Sequence, residues 1–146
     1  NEGVLIAYTS VYGNTKKAAE MLAEKMTAYG CPKVAIADLA REDMAECVED
    51  AFRYDRLVLA TTTYNAEIFP FMKTFIDHLV ERNIQNKTVA FIENGSWAPM
   101  AKKVMAGMLE KSKNITYAEN SVTIKSSVKE DTIEAIDKLA KDLCCK

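Results

Sequence analysis

The sequence predicts an α/β protein in which helices cover both faces of a five-stranded parallel sheet, a three-layer α/β/α sandwich. Short apolar runs alternate five times with amphipathic stretches along the 146 residues. The runs Val4–Tyr8, 56–60 and 87–92 are almost continuously apolar, as expected of strands that are buried on both faces. Strands and helices that alternate in this way are joined by right-handed crossovers around a parallel sheet.

The first half of the chain contains two strands, each followed by a helix. A helix is predicted over about 15–29, because Gly30 ends it and apolar residues recur on one face. That face consists of Ala18, Leu22, Met26 and Tyr29, with Ala19 and Ala23 beside it. The second strand is predicted over 33–38. Asp43 and Glu46 have capping-box spacing, which predicts a short helix that buries Met44, Cys47, Val48 and Ala51.

The third strand, 56–60, is predicted to end in a polar loop over 61–67, and a helix begins at Pro70. The apolar face of this helix consists of Phe71, Phe75 and Leu79, with Met72 and Ile76 adjacent. The fourth strand, 87–92, leads into a loop over 93–97. The helix that follows, about 99–112, is predicted to bury Val104, Met105, Met108 and Leu109.

A fifth strand is predicted within 115–124, where the latter half alternates between apolar and polar residues. Ser127 and Glu130 have capping-box spacing and predict the start of the last helix. Its inner face is expected to carry Ile133, Ile136, Ala140 and Leu143.

Length and composition predict a single domain over 1–146. The formal net charge of −2 and the scattered basic residues argue against a nucleic-acid partner. We expect no membrane segment and a cytoplasmic location, because no apolar run spans a bilayer and no signal pattern precedes the first strand. The start at Asn1 is consistent with an excised domain. The sequence does not indicate the oligomeric state.

The four cysteines lack C-x-x-C spacing and are predicted to be reduced thiols. Cys144 and Cys145 are adjacent at the C-terminus. We interpret this pair as part of a frayed helix end. The alternative is a redox or metal-binding role for the two thiols.

The segment between the first strand and the first helix has the composition of a phosphate site. Hydroxyls stand at Thr9, Ser10 and Thr15, an amide at Asn14, and Gly13 allows a close backbone approach. Unpaired N–H groups and the dipole at a helix N-terminus hold an anion without a fixed cation. The alternative is an ordinary strand-to-helix turn with a good N-cap.

The loops after the third and fourth strands each bring one aromatic residue, Tyr64 and Trp97. Ligands of parallel sheets bind beyond the carboxyl ends of the strands, at the point where the strand order reverses. We therefore expect a flat heteroaromatic ring between the two aromatics. The alternatives are a core or rim position for Trp97 and a solvent-facing loop position for Tyr64.

These residues resemble the flavodoxin family over the whole chain. Residues 10–15 are similar to its phosphate motif, S/T-x-x-G-N-T, and the segments 60–65 and 68–70 are similar to G-S-P-T-Y-N and F-P of the C-terminal flavodoxin domain of flavodiiron proteins. The resemblance implies a flavodoxin-like sheet of order 2-1-3-4-5 with FMN at the switch point, an order that is the standard example for this fold.

Carried over by residue, the resemblance implies that Ser10, Thr15, the Asn14 side chain and the amides of 11–15 hold the phosphate. Tyr64 and Trp97 would flank the isoalloxazine ring. The Asn65 carbonyl would accept from reduced flavin N5–H and Glu67 from N3–H, although a solvated carboxylate is an equal alternative for Glu67. The candidate cofactor-binding residues are Thr9, Ser10, Val11, Tyr12, Gly13, Asn14, Thr15, Thr61, Thr62, Thr63, Tyr64, Asn65, Glu67, Asn94, Gly95, Ser96 and Trp97.

Two departures from the family pattern concern the second and third loops. Glu93 to Ser96 replace the family's residues before Trp97, which affects the backbone path beside the ring. Thr62 replaces a common Pro, so the second loop is expected to be less rigid.

The resemblance implies one-electron transfer through FMN, with no catalytic residues and no metal supplied by this chain. We expect the chain to be the flavodoxin-like domain of a flavodiiron oxygen or nitric oxide reductase, with an upstream diiron domain or a redox protein as its partner. The alternative is a free-standing flavodoxin.

Two other protein classes are less favoured. An FMN-dependent NAD(P)H:quinone reductase usually has insertions that this chain lacks, and a receiver domain needs acidic residues where this chain has Thr9 and Thr61.

Overall fold

The computed structural model describes residues 3–9, 14–31, 33–64, 67–68, 70–94, 101–110, 112–118, 122–124 and 130–144. In chain order the elements are β1 (Val4–Tyr8), α1 (Asn14–Ala28), β2 (Val34–Asp38), α2 (Met44–Arg53), β3 (Arg56–Tyr64), β4 (Glu67–Ile68), α3 (Pro70–Glu81), β5 (Lys87–Asn94), α4 (Ala101–Met108), β6 (Ile115–Tyr117), β7 (Val122–Ile124) and α5 (Glu130–Cys144).

The strands form a sheet of order β2-β1-β3-β5-β6, with β7 also beside β5. All of these pairings are parallel, and the two-residue β4 pairs antiparallel with β3. With the two-residue β4 left out and β6 and β7 counted as one strand, this is the predicted order 2-1-3-4-5. The predicted flavodoxin-like fold is therefore confirmed.

Both faces of the sheet are buried. Successive side chains of a strand point to opposite faces, so each strand contributes to both cores. Leu5 and Ala7 pack into the core under α2, α3 and α4, whereas Val4 and Ile6 pack into the core under α1 and α5. All four of these side chains are fully buried. The continuous apolar runs of the sequence thus reflect a strand covered on both faces.

Strand β3 is longer than the sequence predicts. The polar segment after residue 60 continues the strand to Tyr64, where a short hairpin pairs Tyr64 with Glu67. Thr61 and Thr62 also stay in register with Glu93 and Asn94 of β5. Threonine suits an extended backbone because of its β-branch, so polarity alone did not end the strand.

The predicted fifth strand is divided into β6 and β7. Both pair with β5, β6 at its beginning and β7 at its end. The Ala118 N–H still donates to the Val89 carbonyl at 2.9 Å, directly after β6. The location of the strand is therefore confirmed, although not its continuity.

Met44 and Met108, which were predicted to be buried, are only partly buried, and three other residues that were assigned to inner helix faces are more exposed. The exposed fractions are 36% for Tyr29, 44% for Phe71 and 37% for Ile133. Each of these three residues is the first or last in its row of apolar residues. The helical period of 3.6 residues rotates such a side chain away from the core and towards the surface. In α5, Thr132 and Leu139 are buried in addition to Ile136, Ala140 and Leu143.

The helix boundaries agree with the predictions within a few residues. Asp43 is the N-cap of α2 and accepts a hydrogen bond from the Ala45 N–H at 3.0 Å. Ser127, predicted to cap α5, and the side chain of Val104 lie outside the described residues.

None of the described helices is long and apolar enough to cross a membrane. The cytoplasmic location stays a prediction.

The prediction of reduced thiols is wrong for two cysteines, because Cys31 and Cys144 form a disulfide with a Cα–Cα distance of 5.5 Å. Cys31 follows the end of α1 and Cys144 ends α5. These helices pack side by side on one face of the sheet, so their carboxyl ends meet. Cys47 is a buried free thiol, and Cys145 lies outside the described residues.

A network of charged side chains holds α1 and α5 together near this disulfide. The Tyr29 hydroxyl donates to the Asp137 carboxylate at 2.5 Å, and the ammonium groups of Lys25 and Lys141 lie 3.5 Å from it. The Arg56 guanidinium donates to the Leu143 carbonyl in the last turn of α5. The C-terminal helix is thus fixed at the amino-end edge of the sheet.

Replacing Cys144 with Ser should lower the free energy of unfolding by about 3–5 kcal/mol, since a cross-link between residues 113 apart restricts the unfolded chain. Urea unfolding with and without reductant measures the effect. Reductant should destabilise the wild type by a similar amount and leave Cys144→Ser unchanged. Equal sensitivity of both proteins to reductant would contradict this disulfide.

Candidate functional site

The carboxyl ends of β1, β3 and β5 lie at one edge of the sheet, because these neighbouring strands are parallel. The chain leaves β1 towards β2 on one side and later enters β3 on the other, so the strand order reverses at β1. This is the switch point at which the sequence predicts a site. Among the loop residues, Ser10, Val11, Tyr12, Gly13, Asn65, Gly95, Ser96 and Trp97 lie outside the described residues.

Thr9 and Thr61 join the first two strand ends through their hydroxyl groups. The two Oγ1 atoms are 2.6 Å apart, and the side chains are 1% and 0% exposed. The Thr9 N–H also donates to the Ala60 carbonyl at 3.0 Å, which extends the β1–β3 pairing by one residue. Both residues were candidates for cofactor contact, and the structure shows that their hydroxyl groups contact each other.

The N-terminus of α1 lies at the same edge. The helix begins at Asn14, and Thr15 is fully buried in its first turn. That turn has no acidic residue, and the two residues after Thr15, Lys16 and Lys17, are exposed. The N–H groups and the helix dipole therefore face no negative side chain of their own helix, as a bound phosphate requires.

Glu93 is a residue of this edge that the sequence analysis did not select. It is 7% exposed and stands in register with Thr61 on the neighbouring strand. We call Thr9, Thr61 and Glu93 the polar row. In the sequence, Glu93 directly follows the apolar run of the fourth strand, and this position could have indicated a buried acidic residue at the strand end. We assigned Glu93 to a loop instead.

The side of the edge towards β2 is acidic. The Tyr8 hydroxyl donates to the Asp38 carboxylate at 3.4 Å, and burial together with Asp38 raises the pKa of Tyr8 to about 12. The phenol therefore stays protonated at neutral pH and acts as a donor. The Glu42 carboxylate accepts from the Asp38 N–H at 2.5 Å, which places a second negative charge there.

The remaining candidates are placed by their strands. Thr62, Thr63 and Tyr64 end β3, Glu67 begins β4 and Asn94 ends β5, so all five belong to the same edge. His78 lies in α3 near the exposed Glu81, at 3.9 Å. Within the described part of the chain, no group of three or more His, Cys, Asp or Glu residues can hold a metal ion.

A cavity of about 430 Å³ lies elsewhere, at the amino-end edge of the sheet. It is lined by Val80, Asn83, Ile84, Gln85, Ser112 and Lys113. None of these residues was selected from the sequence, and among the described residues that line the cavity Lys113 is the charged one. The switch-point edge remains the candidate site.

Replacing Thr61 with Val should cost about 1–2 kcal/mol of unfolding free energy, because it leaves the buried Thr9 hydroxyl without this partner. The Thr9→Val/Thr61→Val double variant should lose less than the sum of the single variants, by about 1 kcal/mol. Thr27→Val, which removes an exposed hydroxyl in α1, is the control. Additive losses in urea unfolding would show that the two hydroxyls do not interact.

Solved structures of other proteins share this fold. Rubredoxin:oxygen oxidoreductase from Desulfovibrio gigas superimposes with a TM-score of 0.92 at 20% identity, over 99% of this chain and 36% of that protein. A flavodoxin from the domain Archaea superimposes with a TM-score of 0.84 at 18% identity, over 97% of this chain and 96% of the other. At these identities the likeness concerns the fold.

A relative by sequence is the nitric oxide reductase of Moorella thermoacetica, which is 25% identical over 121 residues. The match covers 83% of this chain and 30% of the relative, so the chain spans about a third of that protein's length. The family model for the flavodoxin domain matches residues 5–123, which is most of the chain. FMN is the cofactor of that family, and the predicted cofactor is confirmed at this level. By this match, and with the fold and switch point described above, the chain belongs to the flavodoxin domain family.

Proposed function

We propose that the chain binds FMN at the switch-point edge and transfers electrons one at a time through the flavin. The observation that carries this proposal is the junction of β1, β3 and α1. There, a buried pair of hydroxyls fixes two strand ends next to a helix N-terminus that has no acidic residue in its first turn. In a member of the flavodoxin domain family, this junction fits the phosphate end of FMN.

For the phosphate, we propose contacts from Ser10, Thr15, the Asn14 side chain and the backbone amides of 11–15. Thr15 supports this proposal because its buried position in the first turn of α1 brings a hydroxyl to the helix N-terminus. Thr9 acts one step away, since its hydroxyl is paired with Thr61. Thr9 therefore positions the start of the loop.

For the ring, we propose that Tyr64 and Trp97 lie on either side of it. Tyr64 ends β3 and Trp97 follows β5 in the sequence, and these two strands are adjacent and parallel. The other proposed contacts come from the same two loops: Thr62, Thr63, Asn65 and Glu67 in the second, and Asn94, Gly95 and Ser96 in the third. When bound, FMN supplies the redox chemistry, and the protein supplies binding, orientation and electrostatics.

We further propose that the chain is the single flavodoxin-like domain, 1–146, of a flavodiiron oxygen or nitric oxide reductase. Two similarities support this choice, namely the sequence match to a nitric oxide reductase and the superposition on an oxygen oxidoreductase, each over about a third of the longer protein. The electron partner would then be a diiron domain or a separate redox protein.

A free-standing flavodoxin is the second candidate. The archaeal flavodoxin supports it, because that protein and this chain match over nearly their full lengths. The two candidates share the cofactor, the site and the one-electron chemistry, and they differ in the partner. An FMN-dependent quinone reductase has less support, because such enzymes usually have further insertions and the segments between successive elements of this chain are short.

Titration of the apoprotein with FMN and with riboflavin tests the proposed site. FMN should bind at least about 100-fold more tightly than riboflavin, which lacks the phosphate. Thr15→Ala should weaken FMN binding about 10-fold or more and leave riboflavin binding unchanged. Flavin fluorescence quenching measures both affinities, and a reductive titration should proceed in two one-electron steps.

Thr27→Ala is the matched control, because Thr27 lies in the exposed C-terminal half of the same helix and its hydroxyl bonds to the Ala23 carbonyl. This variant should bind both flavins as the wild type does. Equal affinity of the wild type for FMN and riboflavin would refute the phosphate site. A protein that takes up neither flavin would refute the function.

A further inference from the structure

We propose that Cys31 and Cys144 form a redox-active thiol–disulfide site, which a dithiol partner reduces without unfolding the protein. Cys144 is the residue whose sulfur the partner attacks, and Cys31 is the thiolate of the reduced site. The two residues lie where the carboxyl ends of α1 and α5 meet, at the edge of the sheet opposite the candidate flavin site. The inference therefore does not depend on the proposed FMN function.

The disulfide lies at the surface of the protein. Cys31 and Cys144 are both partly exposed, whereas Cys47, the free thiol of the described residues, is 2% exposed. Thiol–disulfide exchange requires a thiolate to reach one of the two sulfur atoms. At this position, exchange does not need the core to open.

A guanidinium group lies beside one of the two sulfur atoms. Arg56 begins β3, its side chain is 11% exposed, and its Nη1 lies 3.9 Å from the Cys31 Sγ. The same nitrogen donates to the Leu143 carbonyl, and the Asp55 carboxylate lies 3.4 Å from Nε, so the group is held in place. A neighbouring Arg stabilises a thiolate, and Cys31 is therefore the sulfur that leaves as an anion.

The charge of Arg56 is only partly balanced while the disulfide is intact. Asp55 is 46% exposed and also accepts from the Gly3 N–H at 3.1 Å. The buried Arg56 Nε donates no hydrogen bond to any described residue. A disulfide carries no charge, whereas a Cys31 thiolate would place a negative charge beside the guanidinium. Reduction thus gives a buried cation a counter-ion, which a purely structural cross-link does not require.

The other sulfur atom has a different environment. The Cys144 Sγ lies 3.7 Å from the carbonyl oxygen of Met26, in the last turn of α1. A carbonyl accepts a hydrogen bond from a neutral thiol and repels a thiolate, and the negative end of the helix dipole acts in the same sense. Cys31 follows the same helix end, so Arg56 is what distinguishes the two sulfur atoms. Cys144 is the neutral thiol of the reduced pair.

Reduction consumes one dithiol for each disulfide. A thiolate of the partner attacks the Cys144 Sγ, the bond between the two cysteines breaks, and its electron pair leaves on the Cys31 Sγ. The second thiol of the partner then loses its proton and displaces Cys144 from the mixed disulfide. Cys144 takes up one proton, the other goes to solvent, and the partner leaves as a disulfide, so two electrons pass to the protein.

The two helices stay together after reduction, because other contacts join them. The Asp137 carboxylate of α5 accepts from the Tyr29 hydroxyl and lies 3.5 Å from the ammonium group of Lys25 in α1. Beside the disulfide, Met26 and Leu143 are fully buried in the same core. The two thiols therefore remain close, and the bond forms again when a disulfide oxidant is supplied.

Trapping of the mixed disulfide tests the inference. The Cys145→Ser variant, which leaves one thiol at the C-terminus, is treated in native buffer with the monothiol 2-mercaptoethanol, and freed thiols are blocked with iodoacetamide. Mass spectrometry should find the monothiol on Cys144 and the alkyl group on Cys31 about tenfold more often than the reverse. Dithiothreitol should reduce the bond in the same buffer with retention of the far-UV circular dichroism, and oxidised glutathione should restore it.

Arg56→Met should abolish the preference, because it keeps the length of the side chain and removes the guanidinium. Arg56→Lys should retain most of it. Arg53→Met is the matched control, since Arg53 is an exposed residue of α2 that pairs with Asp50 at 3.1 Å, and its preference should be that of the parent protein. If Arg56→Met does not fold, the preference of the parent protein decides.

A bond that is reduced only in denaturant, or a protein that unfolds when it is reduced, would show a structural cross-link and overturn the inference. Equal trapping on both cysteines of the parent protein would also overturn it, as would an unchanged preference in Arg56→Met. None of these outcomes bears on flavin binding, so the proposed FMN function is tested separately.

Discussion

The molecule depends on one constraint, which is that its paired main strands all run in the same direction. Parallel strands need a crossover for every pairing, so the helices must cover both faces and every strand must end at one edge. The central position of β1 then makes the strand order reverse there. The topology therefore brings strand ends that are distant in the sequence to one edge of the sheet.

At that edge, the apolar packing of the core gives way to polar interactions between the strands. Two residues beyond the fully buried Ala7 and Leu59, the same face of the sheet carries the 2.6 Å contact between Thr9 and Thr61. A buried hydroxyl pair fixes relative position more strictly than apolar packing does, because hydrogen bonds are directional. The ends of β1 and β3 are thus held in place relative to each other, and the first turn of α1, which has no acidic residue, supplies positive potential at the same edge.

Most of the fold is readable from the sequence because two-faced strands and amphipathic helices leave strong periodic signals. Features that depend on distant contacts are not. The disulfide joins residues 113 apart that meet only when α1 and α5 pack together, and Glu93 looks like a loop residue until its register with Thr61 is known. The partial exposure of Phe71 and Ile133 likewise depends on where the neighbouring layer ends. For the site, Thr9, Thr15 and Thr61 lie at the edge that the sequence indicates, and cofactor binding by these residues stays a prediction.

The most direct test of the account is to map flavin binding on the ¹⁵N-labelled apoprotein by NMR. If FMN binds at the switch point, the amide signals of Thr9, Thr15, Thr61 and Glu93 should shift on titration. Those of Cys31, Asn83 and Asn114, at the opposite edge, should remain in place. Shifts concentrated at the opposite edge, or spread evenly over the protein, would contradict a flavin site at the junction of β1, β3 and α1.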